Sequence, residues 1–479
     1  VNSGTANVSS ASWADLLHGA NALRSIALAG GVALHAINVY IVTTILPSVI
    51  KDIGGLEYYA WNTTLFVVTS IVGSALSARL IEALGPRAAY LLAVAVFTAG
   101  SVVCALAPSM PLLLAGRSIQ GLGGGILFAL SYALIRLVFD APLWSRAMAL
   151  VSGMWGVATL CGPAIGGIFA QTGQWRLAFW ALLPAAAALA LIVAFKVGGR
   201  ASIPRSPPTA LPWTTLGLLV ASVLAITLAS LSTALSWNLA GIAAGLAIAA
   251  LIAGVDSRAA KRLLPTGAYS IRAPLGALYA MMCLVVAAIT TEIFVPYFLQ
   301  VIHGMTPLGA GYMTAAMAAG WTLAAMPSST RSGAGADFMV RLSPMVILAA
   351  LIALAVMTPR AGLLDSYTGL ALYVVALAGV GFGIGLGWPH LLTKIFNAAP
   401  AGEETLTSSS ITTVQLYATA LTAALAGIIT NSAGLANPGG VAGAQHAAQW
   451  LFAAFALAPA LALLLLGRVA GSVRQQRTG

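Results

Sequence analysis

The chain has 479 residues, of which 60% are hydrophobic and only 7% charged, and its formal net charge is +11. A soluble globular domain carries about 25% charged residues, so this chain cannot cover a water-facing surface and must face lipid. Backbone inside a bilayer satisfies its own hydrogen bonds, which leaves helices or closed barrels. Barrel strands are short and alternate apolar with polar residues, whereas the apolar stretches here run to roughly 20 residues, the length that crosses about 30 Å as a helix.

In chain order the apolar segments are 25–49, 61–80, 88–106, 110–138, 147–170, 177–197, 212–231, 239–255, 275–301, 309–326, 339–357, 369–396, 407–430 and 447–466. They predict an all-α polytopic membrane protein with 14 transmembrane helices. Segments seven and eight hold no charge before Asp256 and lie between two polar connectors, 198–210 and 256–272. The expected organisation is therefore a tail (1–24), a six-helix bundle (25–197), a linker with two extra transmembrane helices (198–272), a second six-helix bundle (273–467) and a tail (468–479). Transporters are often built as two helical halves with the substrate site between them near the midplane. The first 24 residues are polar and lack a basic stretch followed by a short apolar core, so no cleaved signal peptide is expected.

The positive charges orient these segments. With the N-terminus placed in the cytoplasm, 18 Lys and Arg residues fall on the cytoplasmic side and only Lys51, Arg176 and Arg360 on the other. This bias follows the positive-inside rule. It accounts for the net charge as topology rather than as nucleic-acid binding, and it predicts a multi-pass protein with both termini cytoplasmic. The short loops point to a cell inner membrane.

The loop after helix two carries Glu82, Gly85 and Arg87. An acid, a turn glycine and an arginine at a helix end suit a gating contact, in which the carboxylate caps a helix N-terminus or pairs with an arginine. Helix four places Arg117 about six residues in, roughly 9 Å deep at 1.5 Å per residue. Arginine at that depth is costly and faces a polar cavity or a partner; Gln120 shares its face. A glycine run, Gly121 to Gly125 around Leu122, follows and permits close packing. Helix five carries Gly162, Pro163, Gly166 and Gly167, a kink with close-approach glycines that is assigned to the interface between bundles.

Ten of the eleven acids fall in loops, tails or helix ends, Asp256 among them, and Glu292 alone is expected inside a span. Burial disfavours the charged form of a carboxyl, which suits a group that takes up and releases protons. Further cavity candidates are His35, Asn38, Tyr40, Trp155, Trp321, Trp388, His390, Gln415 and Tyr417, with packing or interfacial anchoring as the competing reading for each. His390 stands out because an imidazole titrates near neutrality. His303 and His446 are expected in solvated outer loops. Cys104, Cys161 and Cys283 show no metal-ligand spacing and read as small core residues.

Taken together, these pieces resemble the major facilitator superfamily over nearly the whole chain. The helix-two loop matches its G-x-L-x-D-x-x-G-x-R pattern at Leu80, Gly85 and Arg87, departing at Ala78 and Glu82. Helix four matches R-x-x-Q-G-x-G at Arg117, Gln120, Gly121 and Gly123. Helix five matches the G-P-x-x-G-G antiporter motif in full. The stretch from Trp175 and Arg176 to Pro184 is similar to a signature of the fourteen-helix drug:proton antiporter branch, as are Pro296 to Gln300 and Gly304 to Gly311. That branch carries an embedded aspartate in helix one where this chain has Asn38.

The resemblance implies a proton-coupled antiporter that exports small amphipathic or drug-like molecules by alternating access. Glu292 and Arg117 would couple protons, and the drive would be the proton gradient with no cofactor and no metal. Partners are then a small-molecule substrate, protons and the lipid bilayer, with no nucleic acid, in a monomer. The alternatives are proton-coupled uptake or a dedicated metabolite or lipid transporter of the same fold, and, from another class, an intramembrane enzyme or sensor. The chain holds no H-E-x-x-H, no G-x-S-x-G and no Walker loop.

Overall fold

The structure, a computed structural model, describes residues 12–197, 211–259 and 261–475. Among the described residues all regular structure is helical. The first half comprises α1 (Trp13–Leu17), α2 (Gly19–Ile53), α3 (Trp61–Leu84), α4 (Pro86–Leu106), α5 (Met110–Ala133), α6 (Ile135–Val138), α7 (Trp144–Gln171), α8 (Trp175–Trp180) and α9 (Leu182–Lys196). Two helices follow, α10 (Trp213–Ala229) and α11 (Leu235–Arg258). The second half comprises α12 (Pro274–Thr290), α13 (Val295–Val301), α14 (Pro307–Ser329), α15 (Ala334–Met357), α16 (Tyr367–Asn397), α17 (Glu404–Ser432), α18 (Gly440–Phe455) and α19 (Leu457–Gln475).

Among the described residues, twelve helical stretches are long and apolar enough to cross a membrane. Predicted segments seven and ten are not among the twelve. Segment seven falls on α10, only 17 residues long, and segment ten on α14, which is 23 residues long but rich in glycine, serine and threonine. Segment eight, expected to be short, is the 24-residue α11.

Three expected spans are broken rather than continuous, each a few residues before a proline. Proline lacks an N–H and its ring clashes with the carbonyl four residues back. Pro184 separates α8 from α9, and Pro459 separates α18 from α19. Pro296 separates α12 from α13, where a 3-10 turn spans Thr291–Ile293. The residue four before Pro296 is Glu292, so the embedded acid sits on the break. Within the polar N-terminal stretch, Ser12 and Asp15 cap α1 reciprocally and Leu16 is fully buried.

Glycines set the closest helix contacts. A Cβ on Gly121 would strike the Phe66 carbonyl of α3, one on Gly123 the Phe97 amide of α4, and one on Gly125 the Ser70 carbonyl of α3. The second half repeats the device: Cβ atoms on Gly381 and Gly385 of α16 would strike the Met317 and Trp321 carbonyls of α14.

The halves meet at the end of the molecule where α2 finishes, here the Asp52 end. Tyr59 stacks on Phe294 with ring centroids 4.8 Å apart. Asn431 of α17 donates to the carbonyls of Glu57 (2.9 Å) and Ser230 (2.8 Å), and the Trp61 indole donates to the Ser230 hydroxyl at 3.2 Å. The end of α10 is thus tied to both halves. Along its length α10 packs on α11, α17 and α3, and its Ser222 meets the Tyr417 hydroxyl at 2.9 Å.

Candidate functional site

In the first half α5 presents Arg117 to the interior, 2% exposed, and with it Gln120 and Asn38 of α2, each fully buried. Arg117 does not snorkel to the surface. Its Nη1 donates to Gln120 Oε1 at 2.5 Å, its guanidinium lies 4.1 Å from the centroid of the Phe66 ring, and Gln120 Nε2 donates to Ser101 Oγ at 2.8 Å. Sequence spacing pointed to the Arg117–Gln120 pair; Ser101, on α4, could be found only by folding. Asp52, near the C-terminal end of α2, accepts instead from Arg176 at 2.6 Å and from the Trp175 indole at 3.1 Å. Among the described residues no ion pair reaches Arg117, its Nε has no partner, and neither Asn38 Oδ1 nor Asn38 Nδ2 has one.

An aromatic path leads from this cluster to an accessible face. His35 lies 5.2 Å from Phe66, 5.5 Å from Phe128 and 6.2 Å from Trp155, centroid to centroid. Trp155, on α7, is 36% exposed. Trp155 is thereby joined to the first-half cluster through His35.

Glu292 is half-buried on the Thr291–Ile293 turn, which packs against α17 and α18. It makes no ion pair among the described residues. Two residues on, Phe294 stacks on Tyr59 of the first half, which sets the acid beside the seam between halves. Deeper in the second half, Trp321 of α14 and Trp388 of α16 form an edge-on pair with centroids 5.3 Å apart. His390, two residues on from Trp388, is buried and bonded through Nε2 to Ser328 Oγ at 3.0 Å. Gln415 is half-buried on α17. The hydroxyl of Tyr417, half-buried on the same helix, pairs with Ser222 of α10.

The antiporter-type glycines divide their work. Cβ atoms on Gly162 and Gly166 would collide with α2, at Tyr40 and Ile41, so these two seat α7 on its own half. Gly167 and Pro163 face the other half, where their near neighbours are Leu308 and Gly311 of α14. At the opposite end of the molecule, Gly85 takes φ +82° to end α3, and Arg87 Nε donates to the Val197 carbonyl at 2.9 Å. Glu82 is half-buried on the last turn of α3.

Two polar groups at or beyond the ends of spans behave differently from expectation. His303 is half-buried rather than solvated, its Nε2 sits 3.0 Å from the Thr358 carbonyl, and burial holds it below the ordinary histidine range. Asp256 is fully buried, although Glu292 had been expected to be the one embedded acid. It accepts from the amides of Leu263 (2.7 Å) and Leu264 (3.0 Å) and from the Tyr269 hydroxyl (2.9 Å), and so folds the α11–α12 connector around itself. Burial and the Asp256 charge push the Tyr269 phenol well above its usual value. The connector is then fastened to α17. Glu403 accepts from the Thr266 amide at 2.6 Å and the Thr266 hydroxyl at 2.8 Å, and these bonds, with Arg262 nearby, hold its carboxyl below the usual range. No sequence signal marks Asp256, because its partners come from a loop that must fold first. Among the described residues no group of three His, Cys, Asp or Glu stands together as a metal site would require.

A family model described as Major Facilitator Superfamily matches residues 28–423. A protein of Mycobacterium tuberculosis named a probable multidrug-efflux transporter is 38% identical over 447 residues, spanning 92% of this chain and 93% of the relative. A multidrug transporter of Bacillus subtilis is 26% identical over 386 residues, 77% of this chain and 68% of the relative. Among solved structures, a POT family transporter in complex with 5-aminolevulinic acid superposes with TM-score 0.66 at 14% identity, covering 93% of this chain and 96% of the other. The human organic anion transporter superposes with TM-score 0.58 at 17% identity, covering 93% and 99%. These two likenesses show the fold. The chain is a multi-pass membrane protein.

Proposed function

Because this chain belongs to the major facilitator superfamily, we propose that it is a proton-coupled transporter that exports small amphipathic molecules by antiport. The observation that carries the reading is the place of Glu292, an unpaired carboxyl on a proline-made break at the seam between the halves. A group there changes surroundings whenever the halves rock, and coupling requires that proton and substrate favour different states. The names of the Mycobacterium and Bacillus relatives support export of drug-like molecules.

In this reading the chain crosses the membrane fourteen times, with α10 and α14 as spans beside the twelve longer or more apolar ones. Two six-helix bundles (25–197 and 273–467) flank the inserted pair within 198–272. The basic ends lie in the cytoplasm, both termini with them, and the membrane is a bacterial inner membrane. Glu292 exchanges the proton and Arg117 assists. Asn38, Tyr40, Gln120, Trp155, Trp321, Trp388, His390 and Gln415 line the substrate path, and Glu82, Gly85 and Arg87 form a cytoplasmic gating loop. The protein acts as a monomer, with the proton gradient in place of a cofactor.

The test is proton release from purified protein in detergent on adding candidate substrates, wild type beside Glu292→Gln. Release in the wild type that is lost in the variant supports antiport through Glu292. Unchanged release removes Glu292 from that role, and binding without release favours uptake or uncoupled transport.

A further inference from the structure

We infer that Arg117 and Asn38 form an acceptor site for an organic anion, so that the molecules this chain carries are amphiphiles bearing an acid group such as a carboxylate. The inference rests on the reading of Asn38, Gln120 and Trp155 as lining the substrate path, and it names the chemistry that path selects.

Arg117 is a permanently charged group, buried within a span and, among the described residues, without a carboxylate partner. Intramembrane charges pair with one another or with backbone carbonyls, or face a polar cavity. Among the described residues Arg117 donates to the neutral oxygen of Gln120 alone, and its Nε is left bare. Asn38 completes the arrangement. On α5, Gly124 lies against His35 of α2, where an added Cβ would stand 2.8 Å from His35 Nδ1. The two helices run in opposite directions. Three residues along α2 is roughly 4.5 Å and four residues back along α5 roughly 6 Å, which brings Asn38 level with Gln120, one turn from Arg117. Both polar atoms of the Asn38 side chain are buried without partners. A carboxylate entering here would accept from the guanidinium and from the Asn38 amide, and no protein carboxylate competes for them.

The surroundings specify the rest of the molecule. The aromatic path Trp155, His35, Phe66 runs from an accessible ring to the face beneath the guanidinium, in steps of 6.2, 5.2 and 4.1 Å. An apolar, flat body would follow these rings with its acid foremost. A permanent cation would meet the Arg117 charge at the end of the same path.

The experiment is equilibrium binding of three dansyl probes to the purified full chain, read by dansyl fluorescence: dansylglycine (acid), dansylglycinamide (neutral) and dansylcadaverine (cation). Dansylglycine is expected to bind about tenfold or more tighter than its amide, as a charge-assisted hydrogen bond warrants. Arg117→Gln is expected to erase that preference while amide binding persists. Asn38→Asp supplies an internal counter-charge to Arg117, so it is expected to abolish the acid preference and raise dansylcadaverine affinity; it keeps the test open where Arg117→Gln does not fold. Equal binding of acid and amide by the wild type, or an acid preference that survives Asn38→Asp, overturns the inference. Binding needs no gradient. Loss of proton-driven export would therefore leave this result standing, and export of cations without acid preference would sink this inference alone.

Discussion

Gly167 of α7 and Leu308 of α14 approach so closely that a Cβ on the glycine would stand 2.5 Å from the Leu308 Cα. The contact joins the two halves at the Asp52 end, and only a residue without a side chain permits it.

Gly167→Val is therefore expected to hold that end apart. Overpacking costs roughly 1–3 kcal/mol, enough to shift a balance of two states by about five- to thirtyfold or more. Labelling of Thr44→Cys, a buried position beside Gly311, by a membrane-impermeant maleimide should speed up in the Gly167→Val background. Unchanged labelling would mean the seam is not held by this contact.

Gln120→Leu is expected to destabilise the first half. It removes the sole acceptor seen on Arg117 and leaves Ser101 without its donor. Stranding a buried charged donor costs about 1–3 kcal/mol or more. Thermal unfolding in detergent should drop for Gln120→Leu and be largely restored by Gln120→Glu, which supplies a stronger acceptor.

Asp256→Ala should loosen the connector that follows α11. The amides of Leu263 and Leu264 lose their acceptor together, at about 1–3 kcal/mol for each buried group left unsatisfied. Hydrogen exchange across 261–272 should accelerate while that of α2 and α5 stays unchanged. Equal protection in wild type and variant would rule out the clamp.

The Glu403 contact gives a pH dependence of defined sign. Its carboxyl is held below the usual range by the Thr266 amide, the Thr266 hydroxyl and Arg262. A depressed carboxyl contributes stability that is present above its unfolded value, about 4.3 for glutamate, and is lost as pH falls through the folded value. The connector should therefore stay fastened to α17 at neutral pH and detach in acid. Limited proteolysis within 261–272 should increase at low pH in the wild type, and Glu403→Gln should show much of that increase already at neutral pH.

Apolar length and the placement of positive charge, both local properties, were enough to read an all-helical membrane chain. They also located Arg117 and Glu292 within spans, because one charge in a long apolar run is visible without knowing what surrounds it. Gln120 was legible as the partner of Arg117, since three residues of helix put both on one face. The prolines at 184, 296 and 459 signalled breaks that the segment reading passed over, the effect of a proline on its own helix being local as well. Tertiary structure alone decided the rest. Asp256 sits among polar connector residues and looks exposed in sequence; the backbone of Leu263 and Leu264 buries it by turning back. Tyr417 reads like any aromatic on a cavity-lining helix, yet α10 claims its hydroxyl. Asn38 is an unremarkable polar substitution until α2 lies against α5 and both ends of its amide are left without a partner. Burial and hydrogen bonding depend on which helices become neighbours, and no periodicity within a single helix records that choice.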